Sequence, residues 1–167
     1  MNAKLLAALA ALSLLAACSS DDAATANTAG AATGSGGAAS SAGAGWGTQP
    51  GSQEELVSSV GDRVFFGLDQ SALSGEARAT LDRQAAWLTR YPQVLVQVAG
   101  NADERGTEEY NLALGQRRAN AARDYLVARG VSSGRIDTIS YGKTRPTALG
   151  SDEQSWAQNR NAITSVR

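Results

Sequence analysis

Two residues of opposite charge stand where charge is costly. Asp103 belongs to a short Gly-bounded acidic loop, with Glu104 and Arg105 beside it, and Arg118 belongs to the helical stretch that follows. Thr107 suits the N-cap of that helix, and Glu108 and Glu109 fall in the first turn, where the positive end of the helix dipole favours them. Gly130, just past Arg129, suits its end. At about 100° per residue, Asn111, Leu114, Arg118, Ala121, Ala122 and Tyr125 share one face, so Arg118 falls inside the apolar stripe. A buried guanidinium needs an anionic partner, and the nearest candidate is Asp103. An acid and a base at the rim of a half-buried stripe would cradle a ligand carrying both charges. The same pair would equally pin the loop to the helix with no ligand at all. Arg117 points elsewhere and reads as a solvated charge.

Composition removes many other chemistries. The chain has 167 residues, room for one modest domain plus appendages, and a formal net charge of −1. No basic, aromatic-interleaved patch is present, so no nucleic acid is expected as a partner. Zero histidines and one cysteine remove most metal sites, histidine-based triads, thiol–imidazole pairs and any intrachain disulfide, and no cofactor is implied. A hydrolase using Asp103 and Glu104 is the enzymatic alternative. Adjacent loop residues seldom present two carboxylates across one scissile bond, so the chain reads as a non-enzyme.

The elements that must position the pair follow from patterning. Residues 54–60 read as a short helical lead-in. Asp62 to Phe66 reads as a strand, with Val64, Phe65 and Phe66 suited to burial. After the loop Gly67 to Leu73, Ser74 caps a helix to about Tyr91 whose Ala77, Leu81, Ala85 and Leu88 face the core, and Pro92 prevents its continuation. Val94, Val96 and Val98 alternate as a second strand, and Arg135 to Tyr141 forms a third, with Ile136, Ile139 and Tyr141 as its apolar content. A loop, Gly142 to Gly150, leads to a short helix, Ser151 to Gln158, with Trp156 turned inward. The last strand, Asn161 to Val166, is unusually polar and is expected to be short or at an edge. The order β-α-β-α-β-β implies an α+β fold, a mixed sheet with two long helices packed against it. Right-handed crossovers would bring Asp69 and the Asp103 loop to the start of the second long helix.

The N-terminal third reads as address and tether. Residues 1–17, with Lys4 and the apolar run Leu5 to Ala17, form a signal peptide too short to stay as a membrane span. Leu15-Ala16-Ala17-Cys18 resembles the bacterial lipoprotein processing box, which implies cleavage before a lipidated Cys18; the plainer alternative is an ordinary secretory signal with an incidental cysteine. Two or three acyl chains anchor stably. Ser19 is not the Asp that resembles an inner-membrane retention signal, which favours the outer membrane. Residues 18–53 are rich in Ala, Gly, Ser and Thr, a flexible tether of roughly 30 Å relaxed and about 115 Å stretched. Trp46 is its one large apolar group. The folded domain is expected over 54–167.

Asn101-Ala-Asp-Glu-Arg-Gly-Thr-Glu-Glu-Tyr-Asn111, then Leu114-Gly-Gln-Arg-Arg-Ala-Asn120, with Ser140-Tyr-Gly-Lys143, Pro146 and Asn159-Arg160, resembles the signature of the peptidoglycan-associated lipoproteins (Pal). These belong to the larger outer-membrane-protein-A-like (OmpA-like), peptidoglycan-binding family, and the resemblance covers roughly residues 62 to 166. It implies a cleft for the diaminopimelate of the stem peptide, with Asp103 accepting from the ammonium and Arg118 forking onto the carboxylate. Leu114 and Leu68 would give apolar contact, and Asp69 and Asn111 polar groups at the rim; Asx residues at such positions also stabilise turns and caps. It further implies an outer-membrane lipoprotein of a Gram-negative bacterium, lipid-anchored on the periplasmic face, with a TolB-type periplasmic protein and other Tol components as partners in envelope integrity and division. Another lipoprotein of the family, tethering a secretion or motor assembly, is the alternative. Three positions depart from the Pal pattern: Asn101 for His, Gly67 for Asp and Asn161 for Arg. They imply a non-titrating group, a looser loop, and a closing strand whose pairing is in question.

Overall fold

A four-stranded sheet carries the molecule, and its order explains where the cleft forms. The computed structural model describes residues 49–167, so the signal peptide, Cys18, Trp46 and most of the tether lie outside the described residues. The elements are α1 (Gln53–Glu55) running into a π-helical turn (Leu56–Val60), β1 (Arg63–Phe65), α2 (Gly75–Arg90), β2 (Val96–Asn101), α3 (Glu108–Ala128), a 3-10 turn (Ser133–Arg135), β3 (Ile136–Gly142), α4 (Glu153–Asn159) and β4 (Asn161–Val166). Sheet order is β1-β4-β2-β3, with β2 parallel to β3 and β4 antiparallel to both β1 and β2. β1 and β2 therefore run the same way and release their following loops at one end of the sheet, as right-handed crossovers require. This is the expected α+β fold. Among the described residues no helix is long and apolar enough to cross a membrane.

Local chemistry sets the helix ends. The hydroxyl of Ser74 accepts from the Ala77 N–H at 3.1 Å, and that of Thr107 from the Tyr110 N–H at 3.2 Å. Beyond α3, Gly130 takes φ +95°, and the Val131 N–H returns to the Leu126 carbonyl at 3.1 Å. Ala77, Leu81, Ala85 and Leu88 are all buried, with Val94, Val96, Val98, Ala119, Ala122 and Leu126 in the same core. On α3 the buried line runs through Asn111, Leu114, Gly115, Arg118, Ala119, Ala122 and Leu126; Ala121 and Tyr125 sit half-buried on its flank.

Two strand expectations need correcting. β4 is neither short nor at an edge: it is one of the sheet's two inner strands, six residues long, hydrogen-bonded on both sides. Its polar residues are buried because each has a partner. Thr164 donates to Gln84 Oε1 at 2.9 Å, and the Asn161 amide donates to the Gln158 carbonyl at 2.6 Å. Phe65 is 47% exposed, because strand alternation turns it to the face away from the helices while Val64 points inward. The α3 side of the sheet is unusually close to its helix. A Cβ added at Gly100 would stand 1.8 Å from the Gly115 carbonyl oxygen, so two glycines let α3 rest directly on β2.

Candidate functional site

Arg118 projects from α3 beneath the ends of β1 and β2 and is 0% exposed. Its Nε donates to the Gln70 carbonyl at 2.8 Å, Nη1 to the Asn101 carbonyl at 2.7 Å and Nη2 to the Gly67 carbonyl at 3.1 Å. The Phe66 ring centroid lies 5.2 Å from the guanidinium carbon. The expected direct pairing of Arg118 with Asp103 is not what forms. Three main-chain carbonyls converge on the flat five-donor fork, and sequence alone does not reveal that such dipoles will meet there. Burial lowers the Arg118 pKa to about 10, against the opposing pull of the nearby Asp103 carboxylate. The cation is solvated by peptide dipoles, with Asp103 as a neighbouring charge.

Asp103 is 6% exposed and answers to two other cations. Arg105 forks onto it, Nε to Oδ1 at 3.2 Å and Nη2 to Oδ2 at 2.7 Å, while the Arg105 N–H donates to Oδ1 at 3.1 Å. Arg160 Nη1 reaches Oδ2 at 3.5 Å. Burial pushes the carboxyl up, but the Arg105 side-chain and main-chain hydrogen bonds and Arg160 outweigh it and hold the group below the usual carboxylate value. Glu104 turns away and accepts from the Trp156 indole at 3.0 Å. The two adjacent carboxylates thus serve different partners and do not face each other across a common space.

The other sequence candidates converge on the same place. Asp69 adopts φ +56°, and its Oδ1 accepts from the Tyr110 hydroxyl. The Asn111 amide donates to the Arg105 carbonyl at 2.7 Å, fastening the loop to the first turns of α3. Leu114 is buried, and Leu68 stands out at 59% exposure. Leu68, Asp69, Asp103, Asn111, Leu114 and Arg118 all line one cleft of about 290 Å³, with Ala102, Arg105, Gly106 and Tyr110. Sequence reasoning missed Tyr110, Arg105 and Arg160. Each stands within or beside a quoted motif, Arg105 two residues after Asp103, so proximity was the available signal.

This arrangement can bind but offers no activated nucleophile: an apolar wall, a buried cation and a buried carboxylate open on one face. Residues 65–160 match the OmpA family. The chain belongs to the OmpA family. It is 56% identical over 115 residues to a protein of Rhizobium meliloti named peptidoglycan-associated lipoprotein, a match covering 69% of this chain and 65% of that one. It is also similar to the crystal structure of the peptidoglycan-associated lipoprotein from Burkholderia pseudomallei, with a TM-score of 0.62 and 44% identity, covering 64% of this chain and 90% of that one. The C-terminal domain of Helicobacter pylori MotB shares the fold alone, at a TM-score of 0.60 and 21% identity, over 64% of this chain and 84% of that one.

Within this OmpA-family domain the three departures lie side by side. The Gly67 and Asn101 carbonyls both accept from Arg118, and the Asn101 amide donates to Asn161 Oδ1 at 2.8 Å. The Gly67 loop is not slack. Gln70 N–H bonds back to the Gly67 carbonyl at 3.2 Å, and Arg118 ties both ends of that turn. Asn161 leaves β4 fully paired: its Oδ1 takes the Asn101 amide and its own amide donates to the Gln158 carbonyl, while Asn101 Oδ1 is buried without a hydrogen-bond partner.

Proposed function

We propose that this chain is an outer-membrane lipoprotein that grips peptidoglycan without covalent bonds, its cleft receiving the free end of diaminopimelate in a stem peptide. That end carries an ammonium and a carboxylate on one carbon. The observation that carries the reading is the convergence of Asp103 and Arg118 on one cleft, Asp103 held below the usual carboxylate value and Arg118 lowered by burial only to about 10, so that both carry charge at neutral pH. Asp103 is the acceptor for the ammonium. Arg118, with three of its N–H groups on carbonyls, supplies the positive potential and remaining donors for the carboxylate. Leu68 and Leu114 cover the methylene chain, and Asp69 and Asn111 set the rim.

Cys18 carries the lipid, and the Ala/Gly/Ser-rich stretch gives the domain its reach from the outer membrane. Relatives named peptidoglycan-associated lipoprotein support membership of a Tol–Pal system, with a TolB-type partner in the periplasm. The role is binding and not turnover. Co-sedimentation of the chain with purified sacculi tests the reading: the chain pellets with the wall, and free meso-diaminopimelate at millimolar concentration releases it. Pelleting that the free amino acid leaves unchanged would place wall binding elsewhere.

A further inference from the structure

Asp103 is held by two cations of unequal freedom. Arg160 is fixed: its side chain is 8% exposed, Nε donates to the Phe66 carbonyl at 3.2 Å, and Nη2 meets Glu153 Oε1 at 2.8 Å. Arg105 is 35% exposed, lines the cleft, and covers the carboxylate from the open side. Its guanidinium also stacks over Trp156, 4.2 Å from the ring centroid, and Nη1 lies 3.8 Å from Glu153 Oε2. A second carboxylate and an aromatic face are thus already in place beside the first.

We infer that Arg105 is the cleft's own stand-in for the ligand ammonium, occupying Asp103 while the site is empty and passing to Glu153 when an ammonium arrives. The inference rests on the reading of the cleft as a site for a zwitterionic amino-acid end. The exchange conserves charge, because one cation leaves Asp103 as another takes its place. Trp156 offers the same face to the guanidinium in both positions. Two features keep Asp103 ready throughout: the Arg105 main-chain N–H on Oδ1, which does not depend on the side chain, and Arg160 behind it. The consequence is selectivity. A ligand with a carboxylate alone has nothing to displace Arg105, and so meets a cleft whose acid is already covered. The exchange also lowers affinity for an ammonium-bearing ligand by the fraction of time Arg105 holds the site.

Calorimetric titration of the full chain with meso-diaminopimelate, and with pimelate as its amine-free counterpart, tests this. Arg105→Ala should bind meso-diaminopimelate about fivefold more tightly than wild type, the scale of one half-exposed ion pair removed from competition. Pimelate should show no gain. Glu153→Gln, which leaves the Arg105 fork on Asp103 intact, should weaken meso-diaminopimelate binding. Equal or weaker binding by Arg105→Ala, with wild type still binding, would overturn the stand-in role while leaving the cleft assignment standing. No binding by either chain would overturn the cleft assignment, and the inference with it.

Discussion

The helices α2 and α3 lie side by side on one face of the sheet and pack by opposite means. α2 buries Leu81, Leu88, Ala77 and Ala85 in an ordinary apolar seam over β1 and β4, with two polar exceptions: Gln84, satisfied by Gly61 and Thr164, and Thr80, which accepts from Arg83. α3 buries Gly115, Ala119 and Ala122, small residues that bring its axis close to β2, together with Asn111 and Arg118. The first arrangement stabilises. The second lowers a long cation to the level of the strand ends, where the Gly67, Gln70 and Asn101 carbonyls receive it. Close packing of α3 is the condition for the cleft, and α2 is the support that tolerates change.

Substitutions that separate the two helices sharpen this contrast. Gly100→Ala should be the most damaging, because the new methyl group meets the backbone of Gly115 and not a flexible side chain. We expect about 3 kcal/mol or more lost in urea unfolding, and loss of sacculus binding with it. Leu81→Ala should cost about 3 kcal/mol as well, from the cavity left in a fully buried site. Sacculus binding per folded molecule should nevertheless be unchanged. Equal binding losses in both variants would remove the distinction between the helices.

Arg118→Ala, the most direct substitution from sequence reasoning, would also leave three carbonyls without their donor in a buried place. It should therefore lower stability by about 2–4 kcal/mol as well as abolish binding, so a circular dichroism melt must accompany it. Asp103→Asn is the milder probe and should cost binding more than stability, because the amide still accepts from the Arg105 N–H.

The smallest effect is the response to pH. Asp103 has a folded-state pKa below its unfolded value, so its contribution to stability is complete above about pH 4 and is lost as pH falls below that. With no histidine in the chain, and Asn101 unable to titrate, affinity for sacculi should be flat from about pH 5.5 to 8. A step within that window would require a titrating group outside the cleft described.

What could be read from the sequence follows the same division. The face of α2 was legible because apolar residues at helical spacing have one explanation, and the caps at Ser74 and Thr107 because hydroxyl caps are local. β4 was not legible. Asn161 and Thr164 look like surface residues until Gln84, Asn101 and Gln158 are known to surround them, and those partners come from three other segments. The site was legible as a set of residues and misread in its wiring. An acid and a base suggest each other when only side chains are counted, whereas here backbone carbonyls hold the base, and two arginines from the loop and from the end of α4 hold the acid.

The most direct test is residue-resolved. With meso-diaminopimelate titrated into the labelled chain, amide resonances of residues 67–70, 102–106 and 110–114 should shift together and saturate with one dissociation constant. Shifts confined to the separate groove between α2 and α3 lined by Ser71, Arg78, Tyr125 and Arg129, or to the open face of the sheet, would contradict the account.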